Sequence, residues 1–334
     1  MSRTADSDFM RYSTLVALLA VIVTFSIISP SFLSFSNLSN ILSQSAVLAL
    51  VAVGLCFVIA SGGIDLSIAV SFDIGAMVAV MLLKAGFGWL PAITIALAAG
   101  VLVGLFNSLL IVRVRLSPFL VTLGTLFIGE SIEKIFTRGG EPVYFPGMSE
   151  VVKFLGRGSV FVFTGEDGGR IDIKFSIIIA IAAAIGAHFL LNRTVFGRHL
   201  YALGDQKEAA VLSGVPVNKY TVYAFVLSGV ICSFAGIIGS SVLTSFVPLS
   251  GRYYLLDAIG AVFIGSALNR QGHANIPGTL IGVLFFGVVS NGLNLSGINF
   301  YWQSVARGVL IFLILSWDSL AKKRRISSSK SRYA

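Results

Sequence analysis

Residues 12–30, 44–61, 66–83, 90–111, 118–135, 174–192, 220–243, 255–269, 276–294 and 300–318 form a succession of apolar stretches separated by short polar breaks. Most run about 18 to 20 residues, the length that carries an α-helix across the hydrocarbon core of a bilayer. At that depth every backbone N–H and C=O must be paired within the protein, and uninterrupted apolar runs of this length meet the requirement only as helices. The pattern predicts an all-α integral membrane protein with about ten transmembrane helices, the eighth (255–269) being short for its task. Composition agrees: 56% of the residues are hydrophobic and 12% charged, against about a quarter charged in soluble domains, which excludes a soluble enzyme, a disordered chain and a secreted scaffold. The first stretch is longer than the apolar core of a signal peptide and no A-x-A site follows it, so it reads as an uncleaved helix.

Orientation follows from the cations. With the N-terminus inside, the inner connections hold Arg3, Arg11, Arg113, Arg115, Arg193, Arg198, Lys207, Lys219 and Arg270, together with the basic tail at 319–334. The outer connections hold fewer, most of them in one long loop of mixed charge, which weighs less in orientation. Both termini are therefore expected in the cytoplasm. The net charge of +9 reads as this bias, not as a nucleic-acid surface, and the Lys322–Arg325 cluster reads as an anchor on acidic lipid. The whole chain, 1–334, is expected to be one transmembrane domain.

Two polar loops interrupt it. The outer one, 136–173, carries Val160–Phe163 and Ile171–Ile173 around a Gly-rich turn, the pattern of a small hairpin. The inner one, 193–219, holds Asp205 with Glu208 three residues on, then Ala209 and Ala210, then Gly214 and Pro216. This spacing predicts a two-turn helix capped by Asp205 and Glu208, exposing Ala209 and Ala210, with Gly214 at its C′ position and Pro216 as its stop.

Chemistry of other kinds is missing from the sequence. It contains no G-x-x-x-x-G-K-[ST] phosphate loop, no H-E-x-x-H and no G-x-S-x-G elbow. Cys56 and Cys232 sit alone in apolar stretches without metal-ligand spacing, so neither a disulfide framework nor a zinc site is expected, and no cofactor is implied. Any energy for active transport must come from a partner or an ion gradient.

The polar residues inside the apolar stretches are the candidate functional residues. Gly62-Gly63 breaks the second helix, and Asp65 with Ser67 opens the third, either as a plain capped turn or as a break lining a translocation route. Asp73 lies well inside the third helix, where a carboxylate needs a partner or a cavity. Asp257 reads as one half of an ion pair with Arg307 or as a separate group snorkelling outward. Glu130 and Lys134, four apart, are expected to pair with each other. Asn107 and Asn291 suit interhelical hydrogen bonds or contact with a transported molecule, and Gly100-x-x-x-Gly104 and Gly278-x-x-x-Gly282 offer faces for close helix packing.

Several of these segments carry a resemblance. Gly62-Gly63-Ile64-Asp65-Leu66-Ser67, the run FLVTLG at 119–124, Phe196-Gly197-Arg198, Tyr201-Ala202, Glu208-Ala209-Ala210 with Ser213-Gly214, Leu256-Asp257-Ala258-Ile259 and Asn291-Gly292-Leu293 occur in this order. From about residue 37 to 318 the chain resembles the ribose-type permease subunit of binding-protein-dependent ABC sugar importers. The resemblance implies a permease working as a pair in the bacterial inner membrane, either two copies or two related chains. Its implied partners are a cytoplasmic ABC ATPase, coupled through the Glu-Ala-Ala stretch, and a periplasmic sugar-binding protein. The chain departs from the family pattern at Ile68-Ala69, where Val-Gly is usual, and in the turn from Gly265 to His273, where glycines are usual.

A branched-chain amino acid permease of related type and a self-sufficient secondary transporter using Asp65 and Asp73 as ion sites are the competing readings. The topology is testable with single thiol tags. A tag replacing Ser328 should react only from the cytoplasmic side and one replacing Gly168 only from outside; reaction of both from one side removes the ten-helix arrangement.

Overall fold

The computed structural model describes residues 2–164, 170–269, 271–299, 301–306, 308–310 and 312. The 165–169 turn, Arg270, Arg307, the end of the last apolar stretch and the basic tail lie outside the described residues. The chain begins with α1 (Ser2–Ile28), α2 (Phe35–Ala60), α3 (Ile68–Lys84), α4 (Trp89–Val112) and α5 (Pro118–Phe136). A mixed segment follows: β1 (Val143–Tyr144), α6 (Glu150–Arg157), β2 (Ser159–Thr164) and β3 (Arg170–Lys174). Then come α7 (Phe175–Arg193), α8 (Val195–Asp205), α9 (Lys207–Leu212), α10 (Val217–Leu243), β4 (Ser245–Phe246), α11 (Gly251–Leu268) and α12 (Ile276–Leu295). Residues 301–306 are again helical.

Local sequence sets many of the boundaries. Ser34 accepts from the Asn37 N–H at the start of α2, and Ser117 caps α5 with a proline in its first turn. Asn275 accepts from the Gly278 N–H where α12 begins. These are side-chain acceptors for the orphan amides of a first turn. Five of the described helices, α2, α4, α7, α10 and α12, are long and apolar enough to cross a membrane. The helices α3, α5 and α11 are not among them; they carry the ionisable residues Asp73, Glu130, Glu133 and Arg252.

The centre is α2, packed against α7, α10, α11 and α12, while α10 lies against α2, α3 and α4. Backbones come together where glycines face each other. A Cβ on Gly100 of α4 would sit 2.5 Å from the Gly229 carbonyl of α10, and one on Gly229 would sit 2.3 Å from the Gly100 carbonyl. The second glycine pair is equally internal: Gly278 and Gly282 of α12 press on Gly265 and Ala261 of α11. Both patterns therefore pack helices of the same chain. Cys56 and Cys232 are free and buried.

The outer-loop hairpin forms as expected, β2 and β3 pairing antiparallel from Ser159↔Lys174 to Thr164↔Arg170. Ser39 of α2 donates to the Asp172 carbonyl at 2.5 Å and holds the hairpin against the bundle. The sequence reading did not anticipate α6, which lies on α10 with Gly156 against Ser241 and with Arg157 Nε donating to the Val242 carbonyl at 2.6 Å. Nor did it anticipate the short antiparallel pair between β1 and β4.

The glycine contact of α4 with α10 makes a direct prediction. Gly229→Val drives a branched side chain into a backbone and should destabilise the bundle by about 1–3 kcal/mol or more. Gly186→Val on α7, where nothing lies within 4 Å, should leave the thermal unfolding midpoint in detergent close to that of the parent.

Candidate functional site: the buried polar clusters and the α8–α9 loop

The break after α2 is built by Gly62 in the left-handed region, φ 81°. Asp65 then turns back on the chain: its Oδ1 accepts from the Ser67 N–H at 2.9 Å and the Ser67 hydroxyl at 2.5 Å. Its Oδ2 accepts from Ser228 of α10 at 3.1 Å. Ser67 in turn accepts from Asn107 Nδ2 of α4 at 2.6 Å, and Asn107 Oδ1 accepts from Thr125 of α5 at 2.5 Å. Three of the sequence candidates, Asp65, Ser67 and Asn107, thus meet in one network, to which the structure adds Thr125 and Ser228. All five are buried, Asn107 at 0% exposure. Every donor in the chain from Thr125 through Asn107 and Ser67 points toward the Asp65 carboxylate, an arrangement in which successive hydrogen bonds polarise one another. Thr125 and Ser228 escaped the sequence reading because a lone hydroxyl in an apolar helix normally bonds its own i−4 carbonyl.

Asp73 belongs to a second cluster. Its partner is the start of α11: Ser250 donates to Oδ1 at 2.7 Å, and the Gly251 N–H lies 2.9 Å from both carboxylate oxygens. Glu133 accepts from the Leu249 N–H at 2.9 Å. Glu130 does not pair with Lys134, as its spacing suggested; it holds Arg252 of α11 in a two-pronged bond through Nε and Nη2. Three carboxylates from α3 and α5 therefore bind four consecutive residues at one helix N-terminus, where amides and dipole favour negative charge. The short eighth span is explained as well. The α11 helix starts inside the bundle, with Gly251 so close to Ala69 that a Cβ would sit 2.3 Å from its carbonyl. Its first turn carries Tyr and Arg, which hid it in the hydropathy pattern.

Asn291 stands apart from both clusters. It exchanges two hydrogen bonds of 2.9 Å with Asn37 of α2, an interhelical pair of the first of the two kinds its sequence allowed. Asp257 is buried on α11, one helix turn beyond Tyr253; Arg307, its suggested partner, is outside the described residues.

The loop at 193–219 differs most from expectation. It holds two helices. Thr194 alone joins α7 to α8 and caps α8 through the Gly197 N–H, and Gly197 is so tight against Leu191 that a Cβ would lie 1.8 Å from its carbonyl. Asp205 is the last residue of α8 and does not cap α9: Gln206 precedes α9 without a side-chain cap, and the Asp205 carboxylate bonds His273 at 2.8 Å. The stop is as expected. Gly214, at φ 79°, lets the Val215 N–H reach the Ala210 carbonyl and its own N–H reach that of Val211, each at 3.0 Å, the paired bonds of a Schellman end. Ala210 is not exposed but packs on Leu203 and Val217, whereas Glu208 and Ala209 face outward and Leu212 is 90% exposed.

The first cluster makes its own prediction. Asn107→Leu leaves the Thr125 hydroxyl without its acceptor and the Ser67 oxygen without its donor, and an unpaired buried polar group costs about 1–3 kcal/mol. A lowered unfolding midpoint should appear in detergent, while Asn291→Leu should instead weaken the junction of α2 with α12.

Residues 37–315 match the family model described as "Branched-chain amino acid transport system / permease component". The chain is 34% identical over 310 residues to the ribose import permease protein of Escherichia coli (strain K12), covering 93% of this chain and 94% of the relative. It is 34% identical over 313 residues to the ribose import permease protein of Bacillus subtilis (strain 168), covering 94% of each. Against the galactose/methyl galactoside import permease protein of Escherichia coli (strain K12) the identity is 33% over 326 residues, again 94% of each. No solved structure matches the chain. A multi-pass apolar bundle matched along nearly its whole length by import permeases belongs to this permease family.

Proposed function

We propose that the chain is the membrane-spanning permease of an importer that carries a monosaccharide and is driven by ATP hydrolysis in a separate cytoplasmic chain. The names of the relatives, for ribose and for galactose/methyl galactoside, support a sugar over the branched-chain amino acid in the family description. The observation that carries the coupling role is the α8–α9 loop, where a six-residue helix too short to be stable alone has a specified stop and a buried Ala210, yet presents Val211 and Leu212 to solvent. Exposed apolar side chains on a polar loop fit a partner surface. In this reading Glu208, Ala209, Val211 and Leu212 meet the ATPase, while Ala210 and Gly214 hold the helix in shape.

The same reading places ten crossings in the bacterial inner membrane, both termini in the cytoplasm, a periplasmic sugar-binding protein on the opposite side and a second permease chain alongside. The translocation path is proposed to pass the Asp65–Ser67–Asn107 network and the Asp73 cluster, since buried carboxylates are costly in a membrane and are retained where they act.

Two measurements test the proposal. Leu212→Asp should lower co-purification with the ATPase by about tenfold or more, as expected for an apolar anchor of an interface, with membrane insertion unchanged. Ala210→Trp is no clean probe of docking, because it disrupts the packing on Leu203 and Val217. Depleting ATP at constant membrane potential should abolish sugar uptake by vesicles holding the full complex; persistent uptake would return the chain to the ion-coupled class.

A further inference from the structure

One face of α8 touches two other parts of the bundle at once. Tyr201, Gly204 and Asp205 are spaced i, i+3 and i+4 and so lie together on that helix. Tyr201 Oη donates to the Ala274 carbonyl at 2.9 Å, and its ring stacks on His273 with centroids 5.0 Å apart and planes 17° from parallel. One turn further, His273 Nε2 donates to Asp205 at 2.8 Å. Between these two, Gly204 lies against the end of α2: a Cβ there would be 2.4 Å from the Ala60 carbonyl, and one on Gly62 would be 3.1 Å from the Gly204 Cα.

Both contacts lead onward through stiff connections. The turn holding His273 and Ala274 is locked by Asn275, whose Nδ2 donates to the Gly265 carbonyl of α11 and whose Oδ1 accepts from the Gly278 N–H of α12, each at 2.8 Å. Past Gly62, three residues bring the chain to Asp65 and its hydrogen bonds to Ser228, Ser67 and, through Ser67, Asn107. In the other direction only Gln206 separates Asp205 from α9. A displacement of α9 therefore has a direct mechanical route to the Asp65 network and a second to the paired helices α11 and α12.

We propose that Tyr201, Gly204 and Asp205 form a transmission face that carries movement of the α9 docking helix into the Asp65 turn and the α11–α12 pair, with His273 as its receiving residue. These are positioning residues. They act through the packing of α8 and touch neither nucleotide nor sugar, and the inference rests on the reading of α9 as the ATPase contact.

The test uses the full complex of permease, ATPase and binding protein in lipid vesicles, with whichever pentose or hexose most stimulates hydrolysis by the parent. His273→Ala should leave complex assembly and basal ATP hydrolysis unchanged while sugar carried per ATP falls about tenfold, within the range over which linked sites couple. His273→Gln keeps an N–H donor for Asp205 and should restore most of that loss. Gly204→Val should uncouple through the other contact, and Asp205→Ala combined with His273→Ala should be no worse than either alone, since the pair acts as a unit. Parental coupling in both His273→Ala and Gly204→Val would overturn the proposal. So would loss of ATPase co-purification in both, which would reduce the face to support for the loop. Failure of the underlying reading looks different, because uptake by the unaltered complex would then survive ATP depletion.

Discussion

A bundle made almost wholly of apolar side chains has little to distinguish one helix pairing from another, since any two such faces pack comparably well in a surrounding that is itself apolar. The constraint that breaks this degeneracy is the need of each buried polar group for a partner. Asn37 and Asn291 can satisfy both amides only with α2 and α12 side by side in one register. The Asp65 carboxylate requires α10 against the start of α3, and the Ser67–Asn107–Thr125 chain adds α4 and α5 in fixed positions. Glycine contacts then let those helices come close, but the polar groups select which helices meet. A few hydrogen bonds thus do in this interior what shape complementarity of many large side chains does in a soluble core.

The carboxylates at the start of α11 solve a related problem. A helix that begins within the bundle leaves its first amides with no water to bond. Asp73 and Glu133 supply the acceptors from neighbouring helices, and the Glu130–Arg252 bond fixes the rotation of the turn. Asp73 called for a partner or a cavity on sequence grounds, and its partners are the Ser250 hydroxyl and the Gly251 amide. Exposed backbone ends and the side chains that bind them are therefore part of the same structural economy as the helix-to-helix networks.

The loop between α7 and α10 shows how local rules succeed and where they stop. Gly214 and Pro216 mark a helix end by conformation alone, and the structure forms that end with the expected bonds. Asp205 and Glu208 have equally good capping-box spacing, yet Asp205 closes the preceding helix and bonds His273, a residue far along the chain. The side-chain oxygen that a first turn would use is taken by a tertiary partner. Ala210 illustrates the same limit, because an alanine gives no sign in sequence of whether its face of a short helix is covered.

The sequence by itself determined the all-α bundle, the polar breaks between its helices, the hairpin strands of the outer loop, the C-terminal stop of α9 and the residues whose polarity demanded an explanation. These features depend on local conformational preference and on the length of apolar runs, which neighbouring residues settle among themselves. Only the tertiary structure decided that Asp65, Ser67 and Asn107 form one network while Asn291 belongs elsewhere, that Glu130 binds Arg252 instead of Lys134, and that α11 starts inside the bundle. Partners of buried polar groups are chosen across helices that are distant in the chain. Spacing along one helix carries no record of which other helix stands beside it.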